Sequence, residues 1–149
     1  MIGAGGAGKA ILAALINEGA LVTVADTDEH KAKTLANSFN AEFCSIKEIA
    51  EVEFDILINA TPIGMAPNVD AMPVGNEILN KLDKKKVVFD VVYSPEKTKL
   101  LEEAEKRHAI IVSGVDMFIL QAREQFNLWT GKMPDLRLMK RILVKGALK

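Results

Sequence analysis

The residues best placed to do chemistry lie at the very start of the chain, in Ile2-Gly3-Ala4-Gly5-Gly6-Ala7-Gly8-Lys9. Gly3, Gly5 and Gly8 have the G-x-G-x-x-G spacing of a turn that binds a dinucleotide pyrophosphate. Gly3 permits the tight turn out of a strand, and Gly5 lets the backbone approach a phosphate. Gly8 lets the following helix pack closely on the sheet. That helix aims free N–H groups and its positive dipole end at the anion. The second element of the pattern is Asp26, which closes the run Leu21-Val22-Thr23-Val24-Ala25 at about the spacing the fingerprint requires, roughly twenty residues on. A carboxylate there accepts hydrogen bonds from adenosine ribose hydroxyls and repels a 2′-phosphate. The neighbouring Asp28 and Glu29 add to that repulsion, and no arginine stands nearby. The expected cofactor is therefore NAD, with NADP less favoured. Read alone, Asp26 also suits a turn or the cap of the next helix.

These residues need a scaffold. Helical spacing follows the glycines (Ala10, Ile11, Ala14, Leu15), with Gly19 as a stop and 21–24 as a strand. A helix is expected over 29–39, with Ala32, Leu35, Ala36 and Phe39 on its inner face. A short strand over 41–45 and a short helix over 46–51 follow. The run 54–58 is almost wholly apolar, as a strand buried on both faces must be. A loop over 59–65 ends it, and a longer loop holds Pro67, Pro73 and Gly75. A helix near 76–82 and a strand over 87–92 come next. Ser94-Pro95-Glu96 predicts a helix start, with a capping hydroxyl and proline in the first turn. That helix is expected to reach His108, then a strand over 109–112, a break at Gly114, a helix over 117–129 stopped by Gly131, and an amphipathic helix over 135–145. Its apolar face would carry Leu136, Met139, Ile142 and Leu143. Such alternation predicts one α/β domain over 1–149, a Rossmann-like doubly wound parallel sheet with ligands at the carboxyl ends of the strands. Only Met1 and Ile2 precede the first glycine, where about five apolar residues are usual. The first strand is expected to be truncated and the chain to be a piece of a longer protein.

Composition narrows the partners. The chain has 149 residues, 49% hydrophobic and 26% charged, with a formal net charge of -1. Nothing in this balance suggests nucleic acid. A single cysteine, Cys44, excludes an internal disulfide and a multi-cysteine metal site; its expected role is packing. No apolar run approaches membrane-spanning length, and the cytoplasm is the default compartment. Lys84-Lys85-Lys86 reads as a solvated turn, and His30 and His108 as helix-surface residues.

Several blocks together carry a resemblance: Gly3 to Gly8; Asn59-Ala60-Thr61 with Gly64-Met65; Asp90-Val91-Val92-Tyr93-Ser94-Pro95 with Thr98; Gly114 with Met117 and Gln121; and Phe126 with Trp129-Thr130-Gly131. In this order they resemble the C-terminal dinucleotide-binding domain of shikimate dehydrogenases, including quinate/shikimate dehydrogenases. The stretches 65–70 and 112–118 also resemble the bifunctional dehydroquinate dehydratase–shikimate dehydrogenases. The resemblance implies reversible hydride transfer between a nicotinamide cofactor and shikimate/3-dehydroshikimate. It implies that Ala4, Gly5, Gly6, Ala7 and Gly8 cradle the pyrophosphate, that Thr61 lines the cofactor cleft, and that Val91, Gly114 and Met117 border the nicotinamide. Tyr93 and Gln121 would reach the substrate. Taken singly, Tyr93 also suits an ordinary strand end, Gln121 a helix surface and Met117 a core. Trp129-Thr130-Gly131 reads as a helix end and packing feature. The family's N-terminal substrate domain, which carries a lysine–aspartate pair for proton transfer, has no counterpart here, and no lysine of this chain lies in a matching motif. The isolated chain is expected to bind cofactor without turnover, and its uncovered face to favour self-association. The competing expectation is a free-standing NAD-binding module.

Overall fold

The computed structural model describes residues 1–146, with side chains described through residue 143. The elements follow in the order α1 (Gly6–Asn17), β1 (Thr23–Val24), α2 (Glu29–Ser38), β2 (Glu42–Phe43), a 3-10 turn (Ile49–Glu51), β3 (Ile56–Asn59), α3 (Asn76–Leu79), β4 (Val87–Asp90), α4 (Lys99–Lys106), β5 (Ile110–Val112), α5 (Gly114–Thr130) and α6 (Leu136–Gly146). All pairings among the described residues are parallel: β1 with β2, β3 with β4, and β4 with β5. The leading stretch joins the two groups, since Ile2 bridges Ala25 on one side and Asn59 on the other. Its bonds are regular: Ile2 N–H to Ile58 O, Ala60 N–H to Ile2 O, and Gly3 N–H to Ala25 O. The spatial order is therefore β2, β1, the leading stretch, β3, β4, β5. Strand order reverses between the leading stretch and β3, the switch point at which doubly wound sheets bind ligands.

Two apolar layers sandwich the sheet. One cluster joins Leu12 of α1 and Ala32, Leu35 and Ala36 of α2 to Val22 and Val24. The other joins Ile78 and Leu79 of α3 and Leu100, Leu101 and Ala104 of α4 to Ile2, Leu57 and Val88. Leu12, Leu100 and Leu101 are fully buried, each worth about 2 kcal/mol of transfer free energy. On α2 the expected inner face is the observed one, with Phe39 packed at its rim. On α1 it is rotated: Gly8 and Leu12 are innermost, while Ala10 and Ala14 are exposed. The helix is drawn onto the sheet at Gly8, so the residue one turn further on becomes the buried one.

Three helix starts differ from expectation. α1 begins at Gly6, inside the glycine loop. α4 begins at Lys99, not at Pro95, because the Thr98 hydroxyl accepts from Leu101 N–H while donating to buried Asp90. Ser94–Pro95 lies in a preceding bend. α5 includes Gly114 in its first turn, capped by Ser113, whose hydroxyl accepts from Asp116 N–H. Gly131 closes α5 in the left-handed region at φ 69. His108 lies past α4, with φ 63, and is exposed. Lys86 departs from a solvated turn: its ammonium donates to Phe54 O and lies 5.4 Å from the centre of the Phe54 ring. Trp129 is 75% exposed, so the end of α5 is a helix terminus without the expected packing. Leu136, Met139 and Leu143 of α6 are half-buried and Ile142 is exposed; a Lys140–Asp116 pair at 2.9 Å ties α6 to α5.

At the amino ends of the strands the sheet is open. A slot of about 440 Å³ runs between Leu21–Thr23 and Phe54–Ile58, floored by Met1 and flanked by Leu15, Ile49 and Ile78. Leu21 is fully exposed and Ile56 45% exposed. The run 54–58 is thus buried on both faces only from Leu57 onward. Half-buried Cys44 lines the same slot.

Candidate functional site

The glycine loop has the sterics its sequence implies. Gly3 has φ 108, and a Cβ there would stand 2.7 Å from the Ala60 carbonyl group. A Cβ on Gly8 would stand 2.2 Å from Gly3 O. Neither position has room for a side chain. Around Gly5 and Gly6, by contrast, a Cβ meets nothing within 4 Å, so open space lies over the first turn of α1. Gly5 is the N-cap of α1 and supplies no side chain to its N–H groups. Donors without intrahelical partners facing open space make an anion site.

Asp26 stands beside this loop. Its Oδ2 accepts from Ala4 N–H at 2.7 Å, and its Oδ1 accepts from Asp28 N–H at 2.9 Å and from the Thr27 hydroxyl at 3.3 Å. It therefore makes the turn that its residue type allowed, and also ties the end of β1 to the glycine loop. The helix cap falls to Asp28, which accepts from Lys31 N–H at 3.1 Å. That hydrogen bond holds the Asp28 carboxyl below its usual range.

Across the switch point lies a second cavity, of about 310 Å³, lined by Ala7, Ala60, Thr61, Pro62, Met65, Val91, Val92, Tyr93, Met117, Phe118 and Gln121. It brings together six residues singled out from sequence: Ala7, Thr61, Val91, Tyr93, Met117 and Gln121. Asp26 does not line it but stands on the far side of the glycine loop, as a dinucleotide spanning the switch point would require. Gly114 sits behind the cavity wall. It is buried, and a Cβ on it would stand 2.3 Å from Val91 O. Tyr93 is half-exposed and stacks on Phe118, with ring centroids 5.0 Å apart and an interplanar angle of 26°. Phe118 is a wall residue that sequence reasoning missed; its signal was its place one residue after Met117 on α5.

The walls rest on three buried polar residues, Asn59, Asp90 and Thr98. Asn59 Oδ1 accepts from Thr61 N–H and from the Thr61 hydroxyl at 2.6 Å, and Asn59 Nδ2 donates to Asp90 Oδ1 at 3.0 Å. Asp90 Oδ1 also accepts from Val92 N–H at 3.0 Å, and Oδ2 from the Thr98 hydroxyl at 2.7 Å. Burial pushes the Asp90 carboxyl up, against the pull of these donors. The larger slot at the opposite end of the sheet is bounded mainly by apolar side chains; ligands of doubly wound sheets bind at the carboxyl ends, where the smaller cavity lies. Among the described residues no group of His, Cys, Asp and Glu could hold a metal ion, and no helix is long and apolar enough to cross a membrane.

Known proteins share this fold. Residues 1–95 match the family model of shikimate / quinate 5-dehydrogenases, and residues 114–144 that of the shikimate 5'-dehydrogenase C-terminal domain. Over 97% of its length the chain is 40% identical to a shikimate dehydrogenase (NADP(+)) of a Geobacillus species, covering 54% of that protein. A quinate dehydrogenase from Corynebacterium glutamicum solved with NAD superposes with TM-score 0.87 at 33% identity, covering 97% of this chain and 53% of the other. A shikimate dehydrogenase solved with NADP+ gives TM-score 0.86 at 34% identity, over 99% and 54%. The chain spans about half the length of such relatives. With the family model matching residues 1–95, more than half of its length, the chain belongs to the shikimate / quinate 5-dehydrogenase family.

Proposed function

We propose that the chain is the nicotinamide-cofactor-binding half of a shikimate or quinate dehydrogenase, and that it selects NAD over NADP. The observation that carries the proposal is the placement of open, uncapped α1 N–H groups between Asp26 and the switch-point cavity. In this reading Ala4 to Gly8 hold the pyrophosphate at the start of α1. Oδ2 of Asp26 is fixed by Ala4 N–H, and the carboxylate keeps lone pairs for the adenosine ribose hydroxyls. A 2′-phosphate at that spot would meet Asp26 with Asp28 close by, which disfavours NADP. The bound nicotinamide supplies hydride chemistry. Val91 and Met117 make an apolar seat for a flat ring and exclude water. Tyr93 and Gln121, both exposed at the rim, present a phenol and a carboxamide that orient a polyhydroxy acid without adding charge.

A substrate domain preceding this chain would supply the acid–base groups for the reacting oxygen, in either a monofunctional or a bifunctional parent. Alone, the chain binds cofactor without turning over shikimate. Calorimetric titration of the purified chain with NAD and NADP tests the reading. We expect tighter binding of NAD, and loss of that preference in Asp26→Ala. An unchanged preference in Asp26→Ala would overturn the role of Asp26. Binding of neither nucleotide by a folded chain would overturn the cofactor assignment itself. The second reading is a free-standing NAD-binding module; the DNA sequence upstream of the first codon decides between them.

A further inference from the structure

The two turns that wall the switch-point cavity contain few backbone hydrogen bonds of their own. Residues 60–63 follow β3 and residues 91–93 follow β4, and side chains do most of the holding. Asn59 and Asp90, the register pair at the ends of the two strands, are both fully buried. Their polarity is unambiguous. The Thr61 backbone N–H can only donate and the Ile63 carbonyl can only accept, so Asn59 must turn Oδ1 to Thr61 and Nδ2 to Ile63 O and Asp90. The same Nδ2 donates to Ile63 O at 3.1 Å, and Ile63 N–H donates to the Thr61 hydroxyl at 3.1 Å. The first turn is thus wound around Asn59, and Asn59 is oriented by Asp90. Asp90 also takes the Val92 N–H of the second turn and the hydroxyl that caps α4.

The hydroxyl proton of Thr61 is committed to Asn59. Its methyl is what meets the glycine loop: a Cβ built on Gly3 would stand 3.0 Å from Thr61 Cγ2. Thr61 therefore acts as a brace between the network and the glycine loop rather than as a donor to a ligand. We propose that Asp90 is the positioning residue of the cavity: through Asn59 and Thr98 it sets both wall turns, and through Thr61 it sets their spacing from the glycine loop. What fills the cavity, the nicotinamide end of the cofactor, rests on the reading given above; the positioning does not. Asp90 touches no ligand in this scheme. Its effect is confined to the switch-point side, because the adenosine side is held by Asp26, which shares no hydrogen bond with this network.

The test uses the whole chain with Asp90→Ala, Thr98→Val and Thr98→Ser. Two readouts are taken: affinity for NAD against ADP-ribose, which lacks the nicotinamide, and amide hydrogen exchange at Thr61, Ile63 and Val92 against Val88 in the core of β4. In Asp90→Ala and Thr98→Val we expect NAD affinity to fall about tenfold more than ADP-ribose affinity, and the three turn amides to exchange faster relative to Val88. Thr98→Ser, which keeps the hydroxyl, should behave as the parent chain does. Should Asp90→Ala not fold, Thr98→Val carries the comparison. Unchanged turn exchange in a folded variant overturns the proposal, as does an equal loss of NAD and ADP-ribose affinity. A parent chain that binds no NAD overturns the cofactor reading, and the exchange ratios alone then decide the positioning role.

Discussion

The two ends of one sheet are built by opposite means. At the carboxyl end every close contact is specific: Gly3 and Gly8 leave no room for a Cβ, and Asn59, Asp90 and Thr98 are buried with their polar atoms partnered. At the amino end the same strands part around an apolar slot, with Leu21 fully exposed and Ile56 nearly half so. The backbone nitrogen of Met1 donates to Thr23 O there at 2.7 Å. The difference shows that binding geometry depends on backbone fit and buried hydrogen bonds at one end. It tolerates a gap at the other, because the two apolar layers close over the sheet independently.

That contrast can be broken most sharply at the glycines. Gly8→Ala places a methyl 2.2 Å from a backbone oxygen and should cost about 3 kcal/mol, with loss of NAD binding. Gly5→Ala, which meets only open space, should leave the melting temperature almost unchanged and still weaken NAD binding, because the methyl enters the room a phosphate needs. Thermal unfolding and calorimetry on both variants check this. Equal melting temperatures would sink the steric account of Gly8.

At the amino end the expected effect is small. The smallest effect is expected at Leu21→Ser, within about 0.5 kcal/mol, because its side chain already faces solvent. A cost above 2 kcal/mol there, measured by the same unfolding assay, would show that the slot is closed in solution.

Much of this was legible from residue types. The glycine loop could be read because its constraint is local: only glycine allows the turn at residue 3 and the contact at residue 8. The inner face of α2 followed from 3.6-residue spacing, and the stop at Gly131 from its left-handed conformation. Other features were not legible for physical reasons that can be named. Ser94 and Thr98 are equally good capping residues by type, and the choice of Thr98 is made by Asp90, a strand-end carboxylate eight positions earlier. Phe118 enters the wall only because Tyr93 stacks on it from another element. Leu21 belongs to an apolar run yet lies in water, since exposure depends on what stands beside the strand.

The chain's own order of residues was therefore enough to determine the alternating α/β scaffold, the tight glycine turn before α1 and the carboxylate beside it. Each depends on periodicity or on backbone sterics within a few residues. Tertiary structure alone decided that Asn59, Asp90 and Thr98 form one buried network, that Thr61 braces rather than donates, and that the sheet is open at its amino end. Hydrogen bonds and gaps between strands distant in sequence carry no local signature; they exist only once the layers have packed.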